Sequence, residues 1–155
     1  MQKIDSLNQV AEFHRTFNAP ILESPQIPSK ERCELRISLL QEELNELKEA
    51  IADNDIVEIA DALCDLQYVL SGAVLEFGLG EKFVQLFDEV QRSNMSKACS
   101  TQSEADETIA FYKEKGEDAY SEVSGNKINV HRKSDNKVLK NKYYSPADLQ
   151  AILNK

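Results

Sequence analysis

Two pairs of acidic residues are the part of this sequence best suited to chemistry. Glu43 and Glu46 are three residues apart, and so are Glu58 and Asp61, with Asp65 one turn further on. On a helix, residues three apart share a face. The stretch between the pairs is short, so two helices carrying them must pack antiparallel. At a rise of ~1.5 Å per residue, Glu46 then falls opposite Glu58, and Glu43 opposite Asp61, to within about a turn. Four carboxylates brought together on apolar helices repel one another and are costly to bury. A hard divalent cation relieves both penalties, and an oxygen-only ligand set favours Mg²⁺ or Mn²⁺ over zinc.

Each acid taken singly has an ordinary explanation. Glu58 completes a capping box begun by Asp55, and Glu42 and Glu43 with Glu49 could form a solvated face. Two facing pairs are harder to explain without a cation. A di-iron carboxylate bundle uses Glu-x-x-His on two helices. Neither histidine, His14 or His131, follows a glutamate by three.

The surrounding elements are predicted from periodicity and punctuation. Leu7, Val10, Ala11, His14 and Phe17 give an opening amphipathic helix over 4–18. Pro20, Pro25 and Pro28 then force an extended loop. Ser29 caps a helix over 30–52, with a seam of Cys33, Ile37, Leu40, Leu44, Leu47 and Ile51. The segment 56–77 is apolar on more than one face. It reads as the central helix of a bundle, one that a single chain cannot fully cover. A third long helix, about 81–95, runs into Arg92-Ser93-Asn94-Met95-Ser96-Lys97, and Ser103 opens another that Gly116 closes. Beyond it, Ile128, Val130 and Arg132 alternate, break at Ser134-Asp135-Asn136 and resume at Val138, which reads as a β-hairpin near 127–140. Ser145 as N-cap and Pro146 at the first helical position start a short last helix. The expected fold is therefore an all-α bundle over 1–116, with a C-terminal extension over 117–155 made of a β-hairpin and a terminal helix.

Composition narrows the function. The chain has 155 residues, 41% of them hydrophobic, few Gly and Pro, and a net charge of −9. So acidic a surface disfavours duplex DNA and anionic lipid as general partners, while a bound metal would still admit phosphorylated ligands. The tail from residue 119 is basic against a strongly acidic body, and it is expected to dock there as a brace. Cys33, Cys64 and Cys99 are widely spaced and odd in number, which fits a reduced, cytoplasmic setting. The opening MQKIDSLNQV has no apolar core for a signal peptide, and the apolar stretch at 56–77 is too interrupted by acids for a membrane span.

Glu42-Glu43-Leu-Asn-Glu46 followed by Glu58-Ile-Ala-Asp61 resembles the signature of the MazG-like and phosphoribosyl-ATP pyrophosphatase-like superfamily. The segments LLQEELNEL, EIADALCDLQYVL and SNMSK are similar to that family, and the likeness covers roughly residues 1–115. The resemblance implies an all-α, Mg²⁺-dependent enzyme that hydrolyses a nucleoside triphosphate, or a related nucleotide, to the monophosphate and pyrophosphate. It implies that Glu43, Glu46, Glu58 and Asp61 hold the metal and carry catalysis. Lys97, and less directly Arg92, would neutralise the leaving pyrophosphate, and Asn94 would hydrogen-bond phosphate or sugar. The first helix would face the base, with Phe13, His14 and Phe17 as its candidates, whereas Arg36 reads as a solvated arginine. A homodimer or homotetramer is expected. The alternatives are a non-catalytic nucleotide-binding or regulatory module, and a helical interaction protein with an outward acidic face.

Overall fold

The computed structural model describes residues 4–154. The chain divides into two compact units, Met1–Phe83 and Val84–Lys155.

The first unit is helical. Helix α1 spans Ser6–Thr16, α2 Lys30–Ala52 and α3 Ile56–Glu76, and a 3-10 turn follows at Gly80–Lys82. Ser29 caps α2, its hydroxyl accepting the Arg32 N–H at 3.4 Å. Asp55 caps α3, its carboxylate accepting the N–H groups of Val57 and Glu58 at 2.9 and 3.2 Å. Between them Asn54 adopts φ +54°, a left-handed conformation asparagine tolerates, so the chain reverses within Asp53-Asn54-Asp55. Helices α2 and α3 therefore form an antiparallel hairpin. Its far end is closed by Arg32 and Arg36 of α2 on Glu76 of α3.

That closure is a buried polar network. Glu76 is 1% exposed and receives Arg32 Nε at 3.0 Å, together with short contacts from Arg32 Nη2 and Arg36 Nη2. His14 from α1 completes it. Its Nδ1 lies 2.8 Å from the Pro20 carbonyl, which can only accept, so Nδ1 carries the proton and Nε2 faces Arg36 Nη2 at 3.5 Å. Gly72 lets the arginine in, since a Cβ there would sit 2.7 Å from Arg36 Nη1. Arg36 is thus buried and paired across forty residues, not solvated as its local sequence suggested.

The proline-marked loop folds back on this end, with Leu22 N–H donating to the Leu75 carbonyl (3.0 Å) and Gln26 N–H to the Phe77 carbonyl (3.1 Å). Gly78 follows with φ +68°, and a Cβ there would fall 1.9 Å from the Ser24 carbonyl oxygen, so no other residue fits. Val10, Ala11 and Leu75 form the local core, with Ile21 against it.

Helix α3 is not enclosed by the chain itself. Its buried residues are Ala62, Ser71, Gly72, Val74, Leu75 and Glu76. Ile56, Val57, Leu63, Tyr68 and Leu70 all remain exposed. The α2 seam is likewise only partly covered, with Ile37 and Ile51 open. Within this unit the helices that pack most extensively on α3 are α1 and α2.

In the second unit, α4 (Phe83–Met95, beginning at the unit boundary) leads to α5 (Gln102–Glu114) and a sheet of three antiparallel strands in the order β1-β2-β3. The strands are β1 Ala119–Ser124, β2 Lys127–Arg132 and β3 Val138–Leu139. Three expectations need correction here. The expected hairpin exists as β2 and β3, but β1 precedes it and joins β2 through Gly125-Asn126, with Gly125 at φ +61° as a two-residue turn requires. Helix α5 is capped by Thr101, whose hydroxyl accepts the Glu104 N–H at 3.2 Å, rather than opened by Ser103. Helix α6 (Leu149–Leu153) follows, and its cap is Asp148 rather than Ser145. Cys99, Ala105, Val130 and Leu139 make this unit's core, with Ile109, Tyr112 and Ile128 packed on it. The tail's basic residues meet acids near α5, Lys142 on Glu107 at 3.2 Å and Arg132 on Glu117 at 3.0 Å. Among the described residues, no single helix is long and apolar enough to cross a membrane.

Candidate active site

At the turn of the α2–α3 hairpin lies a cavity of about 370 Å³ lined by Glu46, Glu49, Asp53, Asp55, Glu58 and Asp61, with Ala50 and Ala62 at its floor. Three of the four predicted carboxylates thus share one space. Glu43, one turn before Glu46, is coupled to them electrically. Burial first, then repulsion from Glu46, Asp65, Glu42 and Asp61, pushes its carboxyl above the ordinary glutamate value. Asp65 therefore belongs to the same electrostatic neighbourhood. Glu43 also has a buried oxygen, Oε2, with no hydrogen-bond partner.

The capping explanation for Glu58 accounts for only half of the motif. Asp55 accepts from the helix N–H groups as a cap should, yet the Asp55 N–H that Glu58 would answer is taken by the Ala50 carbonyl at 3.0 Å. The Glu58 carboxylate is left to the cavity. The expectation that these acids are buried holds only for Glu43, which is half-buried, while Glu46, Glu58 and Asp61 are open to solvent. Among the described residues, no three acidic, histidine or cysteine side chains close into a ready-made metal cage. The donor chemistry nonetheless suits a hard cation: oxygen atoms only, mutually repelling, one of them orphaned.

The remaining candidates have definite placements. His14 is 3% exposed with both ring nitrogens engaged, which leaves neither free for a base. Phe13 and Phe17 stay partly exposed and pack with centroids 4.4 Å apart. Tyr68 meets Phe13 edge-on at 5.6 Å, and it lies seven residues after Asp61, nearly two turns along the same face of α3. The Asp61-to-Tyr68 spacing would have revealed it. In the second unit, Arg92 is bidentate on Glu89 at 2.7 and 2.8 Å and also donates to the Pro146 carbonyl at 3.0 Å. That guanidinium, with the Asp148 N–H, holds the Glu89 carboxyl down to about 2. Lys97 Nζ donates to Asn94 Oδ1 at 2.7 Å, so these two side chains form a pair.

The profile of the phosphoribosyl-ATP pyrophosphohydrolase family matches residues 10–94, more than half of the chain. This protein belongs to that family, which lies within the MazG-like nucleotide pyrophosphohydrolase superfamily. The match takes in both carboxylate pairs and Asn94. An uncharacterized protein of Acanthamoeba polyphaga mimivirus, L479, is 34% identical over 87 residues, a stretch that covers 50% of this chain and 33% of L479. The chain thus spans about a third of that relative's length. The family is described as one of pyrophosphohydrolases that act on a nucleotide.

Proposed function

We propose that this protein hydrolyses a nucleoside triphosphate, or a closely related nucleotide, to the monophosphate and pyrophosphate with Mg²⁺ as cofactor, Mn²⁺ substituting. The supporting observation is the cavity shared by Glu46, Glu58 and Asp61, with Glu43 and its unpartnered oxygen electrostatically joined to them. Glu43, Glu46, Glu58 and Asp61 would hold the metal, which when bound polarises the phosphates and makes its water more acidic. A carboxylate oxygen not spent on the cation orients the attacking water and accepts its proton. That water's oxygen bonds to the α-phosphorus, the α–β anhydride bond breaks, and pyrophosphate departs. In the second unit Lys97, with two N–H donors beyond the one given to Asn94, is the cation proposed to bind a phosphate group. Phe13, Phe17 and Tyr68 offer aromatic faces to the base. The test is pyrophosphate release from a nucleotide panel with and without Mg²⁺. Metal-dependent release from at least one nucleotide is expected, and nucleotide binding without release would mark a non-catalytic module.

The exposed apolar residues of α3 call for a second copy of the chain, as a homodimer or homotetramer in the cytoplasm. Light scattering at micromolar concentration is expected to give at least twice the chain mass, and a monomeric mass rules the assembly out.

A further inference from the structure

We infer that residues 141–148 form a strap that positions the Asn94–Lys97 pair, and so act as positioning residues for the phosphate; the phosphate half of this rests on the function proposed above. The strap runs back along the end of α4 in nearly reverse order. Asn141 N–H donates to the Lys97 carbonyl at 2.9 Å, and the buried Asn141 side chain reaches the Ala98 carbonyl at 3.3 Å. The Tyr144 hydroxyl meets Ser93 Oγ at 3.0 Å, and Ser145 N–H donates to Ser96 Oγ at 3.0 Å. The Pro146 carbonyl accepts from Arg92, and Asp148 N–H donates to Glu89 Oε1 at 2.9 Å.

These contacts divide the labour within residues 92–97. The side chains of Arg92, Ser93 and Ser96 are spent on the strap. Asn94 and Lys97 are bonded to each other, and the ammonium keeps donors to spare. Helix α4 ends at Met95, so Lys97 stands on a turn held by short-range backbone bonds, among them Ser96 N–H to the Arg92 carbonyl at 3.0 Å and Lys97 N–H to the Asn94 carbonyl at 3.2 Å. Helix ends fray unless something satisfies them, and a lysine on a frayed end must be ordered each time an anion binds. The strap settles that ordering in advance, the condition under which a cation binds a phosphate tightly.

The experiment uses the full chain with Tyr144→Phe, Ser96→Ala and the conservative Ser96→Thr. For the first two, KM for the nucleotide and the dissociation constant for inorganic pyrophosphate, measured by calorimetry, are expected to rise about tenfold, the scale of one lost hydrogen bond. Their kcat and their melting response to Mg²⁺ should stay at the parent values, amide exchange at Asn94–Lys97 should quicken, and Ser96→Thr should restore the parent figures. Unchanged exchange overturns the strap itself. Faster exchange with unchanged KM and pyrophosphate affinity overturns its positioning role and leaves it a brace. A parent protein that neither turns over a nucleotide nor binds pyrophosphate overturns the phosphate reading together with the proposed function, while the exchange measurement still judges the strap.

Discussion

Asp61→Asn is expected to keep the α2–α3 hairpin and lose about three orders of magnitude in pyrophosphate release. The asparagine amide has nearly the volume of the carboxylate, and Asp61 is solvent-exposed, so no packing is lost. What disappears is one negative charge from the cavity that Glu46 and Glu58 also line. A hard cation binds an amide oxygen far more weakly than a carboxylate. Metal polarisation supplies several kcal/mol of transition-state stabilisation, and ~1.4 kcal/mol is a factor of ten in rate. Stability should move the other way. Asp61 is among the charges that repel the Glu43 carboxylate, so the metal-free variant should melt no lower than the parent and slightly higher if repulsion dominates. The parent should gain about 2.7 kcal/mol at a Mg²⁺ concentration one hundred times its dissociation constant, and the variant should lose most of that gain. Glu58→Gln should behave alike, and Glu42→Gln, on the outer face, should change little. If Asp61→Asn retains both parental turnover and the parental Mg²⁺ response, the site lies elsewhere.

Why these acids were legible in the sequence while other features were not follows from the range of the interactions. Spacing three apart on a helix and a short connection are local facts, and they suffice to bring Glu46, Glu58 and Asp61 to one cavity. The caps at Ser29 and Asp55 are equally local, which is why α2 begins, and α3 begins, where the sequence predicts. Where several capping residues crowd together, their presence alone does not say which one caps. Thr101 rather than Ser103 caps α5, and Asp148 caps α6 rather than Ser145, whose N–H donates to Ser96. Strand β1 lacks clear alternation, but the Gly125-Asn126 turn before the stronger β2 was a usable signal. Periodicity reports that a helix face is apolar, not which molecule covers it, so α3 reads as central although its own chain leaves much of it bare. The hardest feature to see was Arg36. A search for acids three or four residues away finds none, and its partner Glu76 lies at the opposite end of the neighbouring helix.

That partnership should dominate the stability of the first unit. Glu76→Gln is expected to destabilise it by about 3–5 kcal/mol, the usual cost of breaking a buried ion pair by removing one partner. The mutation deprives Arg36, 8% exposed, of its counter-charge, and its Nε already has no hydrogen-bond partner. A loss of that size is a large fraction of the stability of an ordinary domain, and should lower Tm by on the order of 10 °C. The pH dependence follows from the same geometry. Burial alone would raise the Glu76 carboxyl, but hydrogen bonds and charge from Arg32 and Arg36 more than offset it and hold it below 4.5. A carboxyl depressed in the folded state stabilises the fold above its unfolded value, and that contribution fades as pH falls through the folded value. Acid should therefore destabilise the parent below pH about 4.5, and Glu76→Gln should remove this part of the acid sensitivity. The double change Arg36→Met with Glu76→Leu removes both charges and fills the space with apolar atoms, so it should recover much of the loss. Chemical denaturation of the three proteins at pH 7, repeated in acid, decides the matter. If Glu76→Gln unfolds within about 1 kcal/mol of the parent at pH 7, below the cost of an uncompensated buried charge, the network is not what closes the far end of the hairpin.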